Sequence, residues 1–312
     1  MADRYAFGID VGGTTIKHGL FDAEKEELVE SWEIPTRTED NGRYILEDIA
    51  ASVKAKMEEK KLDVKDVAYR YDGSFAGFLC CVFESFTQRE IPSVIAAPEA
   101  AQLVLFEMRD IPTETEKARR VATGLKRLGM TVYERVAVGF LSCAEEKDLI
   151  LLRFIRLCFA QGGQAAQMLG HTQVAQAFAL ERAVNNEICR MIELLRFEEK
   201  DGMLGAQIHP QNRVLPMLRS HFCSRLPDDD FLIYDATHKE ALLRRNGQVQ
   251  FLRMERYEAS AEPEELAWQT LWKRFFKALT IEERRNERLQ TQHVPLRYRQ
   301  DMPEMRKDVL QT

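Results

Sequence analysis

The chain has 312 residues, of which 45% are hydrophobic and 30% are charged, and its formal net charge is −6. This is the composition of an ordinary globular protein with a buried core, and it excludes a strongly basic nucleic-acid-binding domain. The charge is uneven, because residues 1–67 carry 10 Lys and Arg against 16 Asp and Glu and the remainder is neutral overall.

The absence of a recognisable targeting signal, together with the cysteine pattern, favours a cytoplasmic protein without a membrane partner. The chain does not open with a basic segment followed by an apolar run, and no apolar stretch reaches the roughly 18–20 residues that span a bilayer. None of the cysteines forms a CxxC pair, so we expect buried free thiols rather than a disulfide framework, a metal site or an iron–sulfur site. The six are Cys80, Cys81, Cys143, Cys158, Cys189 and Cys223.

The first segment has the pattern of a small α/β unit. Apolar and alternating runs predict strands over residues 5–11, 15–21 and 28–35, and a helical period predicts an amphipathic helix over residues 42–61. Gly12 and Gly13 follow the first strand, where the absence of a Cβ lets backbone amides approach a phosphate. Thr14 adds a hydroxyl donor, and Asp10 is a candidate for holding a hydrated magnesium ion.

With its strand–turn–strand pattern, the phrase DVGGTT resembles the N-terminus of ROK-family sugar kinases, in the actin/Hsp70-like ATPase superfamily. The resemblance covers residues 5–67 and implies that Asp10, Gly12, Gly13 and Thr14 bind phosphate with Lys17 close by, and that ATP and magnesium are cofactors if this loop is functional. A kinase of this family next shows a Gly-rich strand, a catalytic Asn-Asp motif and a Cys/His zinc knuckle, and none follows Val67. We expect an incomplete kinase subdomain joined to another module, by natural fusion or by recombination or assembly error.

A second module is predicted to begin with the stretch AYRYDGSFAGFLCCVFESF, residues 68–86. Alternation at Tyr69 and Tyr71 favours a short strand, and Ser74 has the side chain of a helix N-cap. The following apolar residues recur at intervals of three and four, which predicts a helix with one buried face. They are Phe75, Phe78, Leu79, Val82, Phe83 and Phe86.

The rest of the module, residues 68–312, is predicted to be an α+β domain with a helical half and a small antiparallel sheet. Helices are expected over residues 113–128, 129–142, 147–160, 172–197 and 214–222, with a closing, packing helix over 263–279. Short strands are expected over residues 106–110, 204–209, 231–235, 240–245 and 248–253. Asn246-Gly247 separates the last two and indicates a type I′ hairpin.

Several phrases of this module resemble a bacterial domain family of unknown function that is described as concerned with DNA metabolism or repair. They are YDGSFAGFLCCVFESF, ICRMIELLRFEEKDG, HFCSRLPDDDFLIYDATHKEALL and LWKRFFKALTIEERRNERLQTQHVPLRY. The resemblance covers residues 68–298. It implies a radical-SAM protein of DNA repair or modification as a partner, and it supplies no catalytic residues.

Five residues are candidates for a polar pocket that binds a phosphate or a flipped base. His221 and Arg225 lie four apart on one predicted helix, and Asp235 ends an apolar strand, where side chains often point into a cleft. Arg196 and Arg297 would complete the pocket, which would use hydrogen bonds and aromatic stacking. The alternative is that these side chains only satisfy backbone groups and ion pairs. The histidines lack the spacing of metal ligands, so no metal site is expected.

A basic segment near the C-terminus is a candidate nucleic-acid surface, because cations are interleaved with Trp272, Phe275, Phe276 and Tyr298. The alternative is a solvated helix whose aromatic residues belong to the core. The candidate contacts are Lys273, Arg274, Lys277, Arg284, Arg285 and Arg288.

Taken together, the patterns and resemblances favour a DNA metabolism or repair accessory protein that binds nucleic acid or a radical-SAM partner. An ATP-dependent sugar kinase of the glucokinase type is the main alternative, and it depends on the DVGGTT loop alone. A protein–protein adaptor without nucleic-acid contact is the third. Salt-dependent DNA binding would distinguish the nucleic-acid-binding accessory protein from the adaptor.

Overall fold

The computed structural model describes residues 5–22, 27–60, 67–97, 107–257 and 263–305. The chain divides into two compact units, Met1–Val121 and Ala122–Thr312. The boundary expected after residue 67 stays a prediction, although a separate sheet does begin there inside the first unit. The mixed helix and strand content agrees with the predicted class of fold.

A three-stranded antiparallel meander and a helix open the first unit. They are β1 (Tyr5–Val11), β2 (Thr15–Asp22), β3 (Glu27–Pro35), the single turn α1 (Glu39–Gly42) and α2 (Ile45–Glu59). Alternate residues of β2 are buried, and Ile16 packs with Ile49 and Val53 of α2. The three strands and the helix predicted from apolar periodicity are confirmed.

The second part of this unit is a parallel β–α–β arrangement. It contains β4 (Val67–Arg70), α3 (Phe75–Thr87), β5 (Val94–Ala96), β6 (Glu107–Asp110) and the start of α4 (Thr115–Leu128). The strand order is β5-β4-β6, and β4 is parallel to both neighbours. The Ser74 hydroxyl accepts the Gly77 N–H at 2.9 Å, so the predicted N-cap of α3 is confirmed.

Helices dominate the first half of the second unit. After the end of α4 come α5 (Met130–Phe140), α6 (Lys147–Gln161), a 3₁₀ turn (Gly163–Gln167) and α7 (Thr172–Leu194). Each helix was predicted within a few residues, and α7 ends earlier than its apolar period indicated. Val184, Ile188 and Met191 lie on the buried stripe of α7.

A five-stranded sheet follows, with the order β11-β10-β9-β8-β7. The elements are β7 (Glu198–Lys200), β8 (Met203–Ile208), α8 (Leu215–Arg225), β9 (Phe231–Asp235), β10 (Glu240–Arg245) and β11 (Gln248–Arg253). Asn246 and Gly247 both have positive φ (49° and 74°), which confirms the type I′ hairpin between β10 and β11. The sheet was expected to be antiparallel, but α8 is a crossover that makes β8 and β9 parallel. Their carboxyl ends therefore lie side by side.

The core of the second unit joins the helices to this sheet. Val184 and Ile188 of α7 pack with the inner residues of α8, β8, β9 and β10, and Tyr298 closes the cluster from near the C-terminus. The cluster also includes Ile208, Val214, Leu218, Phe222, Phe231, Ile233 and Leu242. Tyr298 thus anchors the C-terminal segment to this core.

The C-terminal segment exposes many large apolar side chains. It comprises α9 (Pro263–Leu279), a 3₁₀ turn (Glu282–Arg284), α10 (Glu287–His293) and α11 (Leu296–Arg299). A helix packed against the core was expected over residues 263–279, but none of the residues of α9 is buried. Apolar periodicity identifies which residues share a face of a helix, and it does not say what covers that face.

Cysteine burial differs in part from the expectation. None of the six cysteines, all of which the structure describes, forms a disulfide; Cys80, Cys81 and Cys158 are buried, whereas Cys143 and Cys189 are exposed. Among the helices that the structure describes, none has the length and apolarity that a membrane span requires.

Candidate functional site

The loop that was predicted to bind phosphate lies at the tip of the β1–β2 hairpin. Asp10, Gly12, Gly13 and Thr14 are all exposed to solvent. The Gly12 N–H donates to the Thr15 carbonyl at 2.9 Å, so this amide already closes the turn. A Cβ added at Gly13 would meet no atom of the described chain within 4 Å, so this position is open. The loop is accessible, but the backbone N–H of Gly12 is already used within the turn and only its other backbone N–H groups could bind a ligand.

Lys17, expected close to this loop, makes an ion pair on the neighbouring strand. It pairs in register with Asp10 across the hairpin, and its Nζ lies 3.8 Å from Glu33 Oε1. Both members of this ion pair are exposed, so it is a weak surface interaction.

A second loop occupies the position where parallel sheets usually bind ligands, at the carboxyl end of the central strand β4. Asp72 follows this strand, and its Oδ1 accepts from the backbone N–H and the hydroxyl of Ser74. Its Oδ2 accepts the hydroxyl of Thr113, from the loop after β6, at 2.8 Å. The pKa of Asp72 is lowered, because these hydrogen bonds outweigh the effect of its burial. Asp72 thus ties two loops together and starts α3.

The five residues of the predicted polar pocket have partners in different parts of the second unit. Arg196 donates to Glu304 Oε1 at 2.9 Å and to two backbone carbonyls. His221 stands edge-on to Phe222, with its Nε2 buried and without a hydrogen-bond partner among the described residues. Arg225, four residues on, is exposed. These side chains were expected to converge, but Arg196 and Arg297 line two different cavities. The shared pocket of all five stays a prediction.

Asp235 instead makes a local pair at the end of β9. It is 1% exposed, and its Oδ1 accepts the backbone N–H groups of Thr237 and His238. Its Oδ2 lies 2.6 Å from Nδ1 of His238. The carboxylate therefore organises the turn into β10, which is the backbone-satisfying role that was the alternative to a pocket.

Arg297 belongs to a buried network centred on Glu187, which was not predicted. The Arg297 guanidinium donates to Gln211 Oε1 at 2.8 Å and to the Tyr298 hydroxyl at 2.6 Å. Tyr298 in turn donates to Glu187 Oε1 at 2.5 Å. The other oxygen of Glu187 accepts the backbone and side-chain N–H groups of Asn212, both at 2.7 Å. A cavity of about 500 Å³ borders this network and is also lined by Cys143.

The network favours the ionised form of the Glu187 carboxylate, although this side chain is only 2% exposed. Burial alone would raise the pKa of Glu187. The hydrogen bonds from Tyr298, from the backbone of Gln211 and from Asn212 favour the charged form, and together they hold the pKa below its ordinary value. A carboxylate on the buried stripe of α7 was visible in the sequence, since Glu187 lies three residues after Val184.

Two further residues escaped the prediction because 92 residues separate them in sequence. His209 follows β8, and its Nδ1 lies 2.9 Å and 3.0 Å from the two carboxylate oxygens of Asp301. Together with Arg196, Gln207, Tyr257 and Gln300 they line a cavity of about 220 Å³. Within the described parts of the chain, no group of three or more His, Cys, Asp or Glu side chains is arranged to hold a metal ion.

The predicted basic segment is accessible to a partner. Its cations lie on α9, on the following 3₁₀ turn and on α10, and all six are exposed or half-exposed. They are Lys273, Arg274, Lys277, Arg284, Arg285 and Arg288. The aromatic residues of α9 are exposed too, including Trp268 at 62% and Phe275 at 52%. The alternative in which these aromatic residues form part of the core is therefore wrong for α9, and holds only for Tyr298.

Comparison with known proteins gives one family and one partial relative. A family described as a domain of unknown function, DUF4130, matches residues 145–304, just over half of the chain. The match contains the Glu187 network, His209 and the basic segment, and residues 68–144 of the expected resemblance lie outside it. Glucokinase from Halalkalibacterium halodurans is 48% identical over 50 residues, which are 16% of this chain and 15% of that protein. No solved structure matches.

Proposed function

This chain belongs to the DUF4130 family, a domain of unknown function, and on that premise we propose that it is a DNA metabolism or repair accessory protein. In this proposal it works in the cytoplasm beside a radical-SAM protein, the partner implied by the sequence resemblance. Its own task is to bind single-stranded nucleic acid through residues 263–299, which we call the basic aromatic segment.

The exposed aromatic face of α9 is the observation that carries the proposal. Trp268, Trp272 and Phe275 recur at intervals of three and four, so they form one stripe along the helix. Trp272 and Phe275 lie 5.8 Å apart with their planes 31° from parallel. A continuous exposed apolar stripe marks an interaction site, and aromatic rings are platforms on which the bases of a single strand stack.

Charge around the stripe favours nucleic acid over an uncharged partner. At 3.6 residues per turn, Lys273, Arg274 and Lys277 fall on the other half of α9 from the stripe. Residues 271–299 carry eight Lys and Arg against three Glu, in a chain whose net charge is negative. Long basic side chains can reach around a helix to phosphates while the bases stack on the rings.

The test is a fluorescence-anisotropy titration of the full chain with a labelled single-stranded oligonucleotide and with the matching duplex. We expect tighter binding to the single strand, because only unpaired bases offer free faces for stacking. Trp268→Ala with Trp272→Ala should weaken it by about 1–3 kcal/mol per lost stacking contact. Arg182→Ala removes an exposed charge on α7, outside the segment, and should leave the affinity within about twofold of wild type.

Failure to bind either oligonucleotide at low salt would contradict the proposal and favour the protein–protein adaptor. Binding that survives loss of both tryptophans would place the nucleic-acid surface elsewhere. Circular dichroism of the double variant separates lost binding from lost folding. Because both tryptophans are exposed, we expect its spectrum to match that of wild type.

A second candidate function, sugar phosphorylation, has the 50-residue similarity to glucokinase in its favour. The matched segment is 15% of that protein, and phosphoryl transfer needs a positioned base besides phosphate-binding residues. We therefore expect no glucose-dependent release of ADP from ATP and magnesium. ADP release that is abolished by Asp10→Asn would make the kinase the better account.

A further inference from the structure

A small cavity in the second unit combines a supported histidine with two amide side chains. It has a volume of about 220 Å³ and lies at the carboxyl end of β8, beside Tyr257 and the last described turn of the chain. Pockets for drug-sized ligands measure about 300–1,000 Å³, so this one suits a smaller molecule of one or two rings. Its polar lining residues are Arg196, Glu198, Gln207, His209, Gln300 and Asp301.

Asp301 sets the tautomer of the His209 ring. Both carboxylate oxygens lie within 3.0 Å of Nδ1, so Nδ1 carries a proton and its N–H donates a hydrogen bond to Asp301. In this tautomer the other ring nitrogen, Nε2, is a hydrogen-bond acceptor. It lies 3.4 Å from the amide of Gln207, so the ring and this amide form neighbouring hydrogen-bonding groups in the cavity wall.

The charges around the cavity disfavour an anionic ligand. The lining includes two carboxylates, Glu198 and Asp301, against the single guanidinium of Arg196 among the described residues. That guanidinium is already held by Glu304 and by two backbone carbonyls. A phosphate or carboxylate would meet more negative than positive charge here, whereas an uncharged ligand would not.

Tyr257 gives the cavity an aromatic side. Its hydroxyl lies 1.9 Å from where a Cβ on Gly205 would stand, so the ring reaches the wall only because residue 205 is glycine. Burial, with the nearby Glu198 charge, raises the pKa of Tyr257, so its phenol stays protonated and can donate a hydrogen bond. An aromatic surface and amide groups are the features that recognise the faces and edges of bases.

We propose that this cavity binds a nucleobase, with Gln207, His209 and Gln300 reading its polar edge and Tyr257 contacting its ring. A nucleobase is uncharged, planar and small, and it presents N–H donors beside carbonyl or ring-nitrogen acceptors. Side-chain amides present the same donor–acceptor pair. The base is either free or turned out of a single strand held by the basic aromatic segment. The second source rests on the proposed function.

The first arm of the experiment titrates the full chain with free uracil, thymine, cytosine, adenine and guanine by calorimetry. We expect saturable binding of at least one base. Gln207→Leu, which keeps the side-chain volume but removes the amide, and His209→Ala should each weaken binding about tenfold. His171→Ala alters an exposed histidine outside the cavity and should bind as wild type does. Absence of saturable binding to any free base and to the oligonucleotide probe overturns the proposal.

The second arm uses a single-stranded oligonucleotide with one 2-aminopurine, a base whose emission rises when it leaves the stack. If the cavity takes a base from the strand, emission should rise with wild type and stay flat with Gln207→Leu, while anisotropy shows equal DNA binding. Binding of a free base without any DNA binding would support the nucleobase cavity and contradict the proposed function. DNA binding with no base bound in either arm would overturn the nucleobase cavity and leave the proposed function standing. Far-ultraviolet circular dichroism of each variant identifies any that fails to fold.

Discussion

Tyr298 donates its hydroxyl to the buried carboxylate of Glu187 at 2.5 Å, across 111 residues of sequence. Glu187 lies on α7, and Tyr298 lies in the short helix α11 at the end of the basic aromatic segment. The same carboxylate accepts the backbone N–H groups of Gln211 and Asn212, from the loop after β8. One ionised side chain therefore anchors the loop that carries His209 and the end of the segment proposed to bind nucleic acid.

Tyr298→Phe should destabilise the protein by about 1.5–3 kcal/mol, because it removes a buried hydrogen bond to a charged acceptor. The phenyl ring keeps its place in the core, so little packing is lost. Urea unfolding followed by circular dichroism measures the change.

The matched control is Tyr234→Phe, which removes a hydrogen bond to the neutral carbonyl of Glu255 at 3.0 Å. A neutral acceptor should make this change cost about 0.5–1.5 kcal/mol. Equal costs for the two variants would mean that the charge of Glu187 does not strengthen the Tyr298 hydrogen bond.

Stability should fall with acidification partly through Glu187. Its pKa is held below the ordinary value of about 4.3, so the folded state favours the ionised form. The stabilisation is fully present above that ordinary value and is lost as the pH falls through the lower folded-state pKa. Glu187→Gln, which cannot ionise, should be less stable than wild type at pH 7, and the difference should shrink below about pH 4. A difference that stays constant from about pH 7 to about pH 3 would contradict this account.

The motif YDGSFAG depends on the close approach of Gly77 to Asp72. A Cβ on Gly77 would stand 2.3 Å from Asp72 Oδ1 and 2.8 Å from Thr113 Oγ1. Gly77→Ala should therefore cost about 1–3 kcal/mol through overpacking. Gly13→Ala, in the same unit but with no described atom within 4 Å of its Cβ position, should stay within about 0.5 kcal/mol of wild type. Thermal unfolding of both variants measures these two stability costs, and similar costs would refute the steric explanation.

Local sequence patterns predicted most of the helices, strands and turns, because each is determined largely by residues that are close in sequence. The Ser74 cap and the Asn246-Gly247 hairpin are such cases, since the side chain or turn geometry acts within a few positions. The parallel pairing of β8 and β9 was missed because strand direction is set by the α8 crossover, and alternation within a strand carries no information about it.

The site was harder to predict, because its contacts join distant segments. Asp235 was expected to face a cleft, but its own turn supplies His238 as a partner. Asp301 and His209 meet only through the fold, and neither has a local motif. The cations of the basic aromatic segment are exposed or half-exposed, as high local charge favours, and their contact with nucleic acid stays a prediction.

Single-stranded DNA should shield the tryptophans of α9 from solvent. Trp268 is 62% exposed, so acrylamide should quench its fluorescence efficiently in the free protein. The third tryptophan, Trp32, lies in the first unit, where it donates a hydrogen bond to Ser52 and stacks on His18. Trp32→Phe removes its emission and leaves that of Trp268 and Trp272. We expect the quenching constant of this variant to fall when the oligonucleotide is added. Unchanged quenching under saturating DNA would exclude α9 from the contact.

The salt dependence of single-strand binding tests the central claim most directly. Each phosphate contact contributes about −0.7 to the slope of log K against log salt, so six cations acting together would give about −4. Full-length protein should show such a slope by anisotropy between about 50 and 200 mM salt. Arg284→Ala with Arg285→Ala should make it shallower by about 1.4, and Arg182→Ala should not change it. A slope near zero, or one that the double variant leaves unchanged, would contradict nucleic-acid binding by the basic aromatic segment.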